Sequence, residues 1–258
     1  MIYEAEDFVF VPPRELAFAR RILLKPDAGV PLPYPHTTSS ELLAHIIEAI
    51  SQVSSAEIII LEGSRSGESM KKIFKALKYD FPRVTLLDVR ESTPVEIENP
   101  LPRPYAISTF WIPNIILSCD FLISISTFKI TGGNANFTIW NLLGLLPPAK
   151  YHGEMMGPEE LGQRFGIHCV VADLYFTLPF DLGIIEARKK LTSPENSRRK
   201  KKKEENFGKI FMGSPLEVDK EAAHHAGIEV DYVRLIEAAR VRMEGQKANR
   251  SSKSSPSK

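Results

Sequence analysis

Several ionisable side chains stand at or just beyond the ends of short apolar runs. Lys25 follows Ile22-Leu23-Leu24, and Glu62 and Arg65 follow Ile58-Ile59-Ile60-Leu61. Lys129 follows Phe121-Leu122-Ile123-Ser124-Ile125, and Asp173 follows Val170-Val171-Ala172. Carboxylates and cations mixed in one cleft suit an anionic small molecule, with a hard divalent metal such as magnesium on Glu62 and Asp173 as one way to complete the site. A lysine there neutralises a phosphate or carboxylate, or acts as an acid once burial lowers its pKa. Lys129 and Asp173 are the expected catalytic groups, joined by His152 as an acid or base if its loop folds over the cleft. Gly63, Gly132 and Gly133 let a ligand approach the backbone closely. Plainer readings stand beside these: Asp173 as a helix cap, Lys129 as half of an ion pair, His152 as an ordinary loop residue, Trp140 as core. His224 and His225 are adjacent, so on a helix they face different ways and make a poor metal pair.

These residues need a scaffold of strands. The stretch from Asp120 to His152 reads as one unit: a strand buried on both faces, a polar turn ending in Gly132-Gly133, then a helix through Phe137, Trp140, Asn141 and Leu145 stopped by Pro147-Pro148. The same logic places strands at 21–25, 57–61, 83–88, 168–173 and 208–213. A helix carrying Leu42, Leu43, Ile46, Ile47 and Ile50 follows the first strand, with Thr37 or Thr38 as its cap. Gly63-Ser64-Arg65-Ser66-Gly67 is a turn leading into a helix, and it suits a phosphate or carboxylate. It matches neither a P-loop nor G-x-G-x-x-G, so an ordinary Gly/Ser turn is an equal reading. Strands alternating with helices predict an α/β protein: one domain over residues 1–240, with a mostly parallel, Rossmann-like sheet and helices on both faces. In such sheets ligands sit at the carboxyl ends of the strands.

The 258 residues are 43% hydrophobic with a formal net charge of +1, which gives no general preference for nucleic acid. Charge is concentrated at Arg198, Arg199, Lys200, Lys201, Lys202 and Lys203, inside residues 191–206, which read as a disordered basic insertion. Residues 241–258 read as a disordered Ser/Lys tail. Cys119 and Cys169 form no C-x-x-C pair, so no intrinsic iron–sulfur cluster is expected. No apolar run reaches the ~20 residues of a membrane span, and no signal peptide is evident, so a cytoplasmic setting is the expectation.

The order LLKPD, HTTSSELL, IIILEG, DFLISISTFKITGG, WNLLGLLPPAKYH, CVVADLYF and GSPLEVDKEAA resembles a prokaryotic family, domain of unknown function 362 (DUF362). The likeness covers residues 20–240. Many members of that family carry an attached ferredoxin module, whose cysteines this chain lacks. Positions matching the family's pattern are Lys25, Pro26, Thr37, Glu62, Gly63, Lys129, Asn141, Gly144, His152, Asp173, Pro215, Val218 and Asp219. The resemblance adds Thr37, Asn141 and Asp219 to the expected ligand-binding set. It departs at Asp27 for Asn, Thr127 for Lys, Thr131 for His, Trp140 for Lys and Ser214 for Asp. It implies an anionic small-molecule ligand in redox or cofactor metabolism, with a ferredoxin-like partner acting in trans. The departures leave a non-catalytic partner or scaffold protein as the alternative, and the basic run leaves a nucleic-acid contact as another.

Overall fold

In a computed structural model of the chain, the described residues are 1–151, 158–193 and 203–253. The strands are β1 (Ile2–Glu4), β2 (Arg21–Pro26), β3 (Glu57–Glu62), β4 (Val84–Asp88), β5 (Pro94–Glu98), β6 (Thr109–Pro113), β7 (Phe121–Thr131), β8 (Asn134–Ala135), β9 (Leu182–Ser193) and β10 (Lys203–Gly213). The α-helices are α1 (Ser40–Val53), α2 (Met70–Ala76), α3 (Pro148–Tyr151), α4 (Pro158–Phe165), α5 (Ile167–Thr177), α6 (Pro215–Ala226) and α7 (Asp231–Lys253).

One sheet organises the molecule, in the order β1-β10-β9-β7-β2-β3-β4, with β8 attached to β7. β9, β7, β2, β3 and β4 are mutually parallel, while β10 and β1 continue the sheet in antiparallel pairs. β5 and β6 form a separate ribbon. The central strands carry unbroken apolar runs because both their faces are covered. One face packs α1 and α2 through Ile22, Leu24, Ile58, Ile60, Ile123 and Ile125. The other packs α5, α6, α7 and the 3-10 turn Trp140–Leu145 through Leu23, Leu61 and Phe128. The expected α/β class, mostly parallel sheet and two helical layers are all present.

α1 forms because Leu42, Leu43, Ile46, Ile47 and Ile50 make one buried stripe. Its cap is Ser39, one or two residues later than expected; the hydroxyl accepts from the Leu42 N–H at 3.1 Å.

Four expectations need correction. Residues 168–173 are not a strand but part of α5, where Val170, Val171, Ala172, Asp173 and Leu174 are all buried. A helix covered on every side shows no amphipathic period, so its β-branched run mimics a buried strand. β7 does not end at Ile125; it runs to Thr131, and Gly132 (φ 59°) and Gly133 (φ 79°) turn it into a hairpin with β8. Positive φ at both turn residues is what a two-residue hairpin requires. The basic insertion also shrinks: residues 191–193 belong to β9 and 203–206 to β10, paired Thr192 to Lys203 and Leu191 to Glu204. Arg198 to Lys202 lie outside the described residues. The proposed tail likewise contains ordered chain, since α7 continues to Lys253.

Candidate functional site

β2 lies between β7 and β3, so the loops after these three strands meet above it. Lys25, near the end of β2, places its ammonium 2.8 Å from Glu62 Oε2. The pair is sealed, at 1% and 2% side-chain exposure. Lys25 Nζ also donates to Asn141 Oδ1 at 2.9 Å and to the Pro26 carbonyl at 2.9 Å, so its three protons are all used. Glu62 accepts two backbone N–H groups, from Ala28 and Gly63, each at 2.8 Å. Asn141 donates back to the Lys25 carbonyl at 3.0 Å and to Ser124 Oγ at 3.2 Å, which docks the 3-10 turn onto β2 and β7. Burial lowers the Lys25 pKa, with Glu62 opposing it.

Two glycines make this closeness feasible. A Cβ on Gly144 would stand 2.6 Å from Glu62 Oε1 and 3.0 Å from Lys25 Nζ, and one on Gly63 would stand 2.5 Å from the Gly144 carbonyl oxygen. Neither position tolerates a side chain without moving backbone or the ion pair.

Asp27 joins the second half of the network. Its Oδ1 accepts from Arg65 Nη2 at 2.9 Å and its Oδ2 accepts from Lys129 Nζ. Lys129 also donates to the His36 carbonyl at 2.9 Å. The Asp27 N–H reaches the Ile125 carbonyl at 2.8 Å, which fixes the loop to β7. Burial would raise the Asp27 carboxyl, but the Lys129 and Arg65 charges outweigh it and hold the pKa at about 2. A folded pKa below the ordinary 3.8 contributes stability that is present above pH 3.8 and lost as pH falls through 2. That lowering is worth about 2 kcal/mol. Asp27→Asn should therefore be less stable than the parent at pH 7, and the gap should close between about pH 4 and pH 2. Urea titrations at several pH values measure this; a gap independent of pH would remove the ion-pair account.

A third cluster braces the loop between β2 and α1. Glu186 of β9 is fully buried and accepts from the Ser39 N–H at 2.9 Å, Ser39 Oγ at 2.7 Å and Arg188 Nε at 3.0 Å. Arg188 Nη1 reaches Glu41 Oε2 at 2.8 Å. Burial raises the Glu186 carboxyl, opposed by Ser39 and Arg188.

Lys25, Glu62, Gly63, Arg65, Lys129 and Asn141 are thus brought together around Asp27 and the end of β2. Other expected residues do not join them. Asp173 sits in α5, and its carboxylate accepts the N–H groups of Tyr105, Ala106 and Ile107 at 2.9, 2.7 and 2.9 Å. It anchors the loop between β5 and β6, so it is neither a strand-end catalyst nor a co-ligand with Glu62. Among the described residues, no three His, Cys, Asp or Glu side chains are placed to hold a metal. Asp219 of α6 accepts from the Thr138 N–H at 2.9 Å, Thr138 Oγ1 at 2.6 Å, the Ile139 N–H at 3.0 Å and Tyr232 Oη at 2.8 Å. Burial lifts its carboxyl to about 6 while these donors pull it down. Thr37 is a buried loop pin, donating to the Leu32 carbonyl. Gly132 and Gly133 are exposed at the hairpin tip, three residues or ~10 Å of strand beyond Lys129. His152 lies outside the described residues.

Sequence reasoning missed Asp27 and Glu186 as members of the site. The signal for Glu186 was a charge inside the apolar run Gly183-Ile184-Ile185-Glu186-Ala187.

The sequence model of the family described as domain of unknown function (DUF362) matches residues 22–224. The chain belongs to the DUF362 family. No curated protein matches it. Among solved structures this DUF362 chain is similar to the lactate racemase apoprotein from Thermoanaerobacterium thermosaccharolyticum, at a TM-score of 0.51 and 17% identity. The match covers 86% of this chain and 53% of that one, so the DUF362 chain spans about half the racemase's length. At that identity the likeness concerns the fold. No helix among the described residues is long and apolar enough to cross a membrane.

Proposed function

We propose that this DUF362 chain binds an anionic small molecule at the carboxyl ends of β2, β3 and β7, with Arg65 as the group that meets it. The observation that carries the reading is the contrast in exposure within the network. Lys25, Glu62, Asp27 and Lys129 are closed off, whereas Arg65 keeps 45% of its side chain exposed. Asp27 orients the guanidinium through one donor, which leaves further N–H groups of its fork for a planar oxyanion.

The surrounding loop supports this role. Arg65 N–H donates to the Gly29 carbonyl at 2.8 Å, and Arg90 Nη1 holds the Gly67 carbonyl at 3.1 Å. Ser64 and Ser66, which flank Arg65 in sequence, bring their hydroxyls within 3.4 Å of each other. Lys129 acts from behind: it offsets Asp27, so that the carboxylate does not repel an arriving anion. The Lys25–Glu62–Asn141 group is the frame that fixes the three loops relative to one another.

Titration calorimetry with inorganic phosphate, acetate and oxalate tests the proposal. At least one should bind, and Arg65→Ala should weaken it about 10–100-fold, as expected for one charge-assisted contact of about 1.5–3 kcal/mol. Arg20→Ala, which removes an exposed arginine at the opposite ends of the strands, should leave binding unchanged. Equal affinity of the parent and Arg65→Ala would reject the site.

A further inference from the structure

The main chain and the side chain of Arg65 both meet Gly29. The Arg65 N–H donates to the Gly29 carbonyl at 2.8 Å. A Cβ on Gly29 would stand 2.9 Å from Arg65 Nε, 3.0 Å from Arg65 Cγ and 3.0 Å from the Gly63 carbonyl oxygen. The stem of the arginine therefore crosses the place where a side chain at 29 would begin. Beyond that crossing, Nη2 reaches Asp27 Oδ1 at 2.9 Å. Gly29 is not among the glycines with positive φ, so its backbone suits an ordinary residue. What its missing side chain supplies is room for Arg65.

A methyl group at 29 would have to move something, and the neighbours differ in how readily they yield. The loop that carries Gly29 is pinned at successive residues. The Asp27 N–H donates to the Ile125 carbonyl, the Ala28 N–H to Glu62 and the Thr38 N–H to the Asp27 carbonyl, each at 2.8 Å. Shifting this loop would leave buried polar groups without partners. Arg65 has a long, flexible stem, and 45% of its side chain is exposed, so it can swing outward into water. The arginine is therefore the part that gives way, and in doing so it leaves Asp27.

We propose that Gly29 is a positioning residue of the anion site: its bare Cα is the floor on which the Arg65 stem lies, and this floor holds the guanidinium against Asp27. The inference rests on Arg65 as the group that meets the anion. A guanidinium already fixed to Asp27 does not have to be ordered when the ligand arrives, which is how a bare glycine sets affinity without touching the ligand.

Gly29→Ala in the full chain tests this through two measurements. The first needs no anion: the Asp27 carboxyl is titrated by carbon NMR. Lys129 and Arg65 together hold that carboxyl at about 2 against burial, so with Arg65 displaced it should titrate at higher pH, as it should in Arg65→Ala. The second is calorimetry with inorganic phosphate, acetate and oxalate. Gly29→Ala should bind about 2–10-fold more weakly than the parent, the cost of ordering one long side chain. In the Arg65→Ala background, Gly29→Ala should change neither the affinity nor the urea midpoint, because the added methyl then has no stem to displace. An Asp27 titration unaltered by Gly29→Ala overturns the proposal, as does an anion affinity equal to the parent's. A fall in midpoint that persists in the double variant also overturns it, since the clash would then lie with the Gly63 carbonyl. If the parent binds none of the three anions, Arg65 is not an anion contact, and the Asp27 titration still decides whether Gly29 seats it.

Discussion

Lys25→Met is expected to destabilise the fold by about 3–5 kcal/mol, the range for leaving one member of a buried ion pair without its partner. Glu62, 2% exposed, would keep only the Ala28 and Gly63 N–H groups, and the Asn141 carbonyl oxygen would lose its donor. The loss should appear as a lower urea midpoint with an unchanged slope. Lys25→Met combined with Glu62→Gln should recover part of it, because the stranded charge is then gone. The exposed pair Lys189–Glu204 is the control, and Lys189→Met there should cost less than about 1 kcal/mol. An unaltered midpoint for Lys25→Met would mean that this pair does not hold the three loops together.

Asp219→Ala should cost a comparable amount, about 4 kcal/mol. It strands two buried backbone N–H groups, at Thr138 and Ile139, together with the hydroxyls of Thr138 and Tyr232, and a buried unsatisfied group costs about 1–3 kcal/mol, not strictly additively. Tyr232→Phe deletes one of the four bonds and should cost about 1 kcal/mol. Both are read from urea midpoints. If Asp219→Ala were no worse than Tyr232→Phe, the carboxylate would not be the joint between α6, α7 and the segment after β8. Since the Lys25 frame needs Asn141, three residues after Thr138, Asp219→Ala should also weaken the anion binding proposed for Arg65.

The parallel core was legible because its strands are short apolar runs bounded by prolines, glycines and charges. Arg21 to Lys25, Glu57 to Leu61 and Arg83 to Asp88 lie within a residue or two of the observed β2, β3 and β4. α1 was legible through its single stripe. What failed has local causes. Val170-Val171 gives no period because α5 is covered all round. Thr131-Gly132-Gly133-Asn134 reads equally as a strand-to-helix turn or a hairpin until its pairing to Ala135 is known. Lys189 and Lys190 hid the length of β9, although Lys190 lies over the Phe207 ring at 3.6 Å, a contact no neighbouring residue announces. In the site, Lys25, Glu62 and Lys129 stood out as charges beside apolar runs. Asp27 did not, because a proline–aspartate–glycine-rich turn is common enough to pass as punctuation. Asp173 and Asp219 looked like site residues, but each carboxylate is taken up by backbone N–H groups, three for Asp173 and two for Asp219.

The carboxylate of Glu186 at the start of α1 has a consequence for ligand choice. The first turn after β2 is where phosphates of nucleotide cofactors commonly settle in open α/β sheets, drawn by free amide hydrogens and the positive end of the helix dipole. Here that berth is already taken by a tenant from β9. A pyrophosphate would have to displace Glu186 and break its contacts with Ser39 and Arg188. The helix start that would cradle a pyrophosphate is thus filled by the chain itself, which agrees with the proposed compact anion held by the Arg65 side chain rather than by a helix.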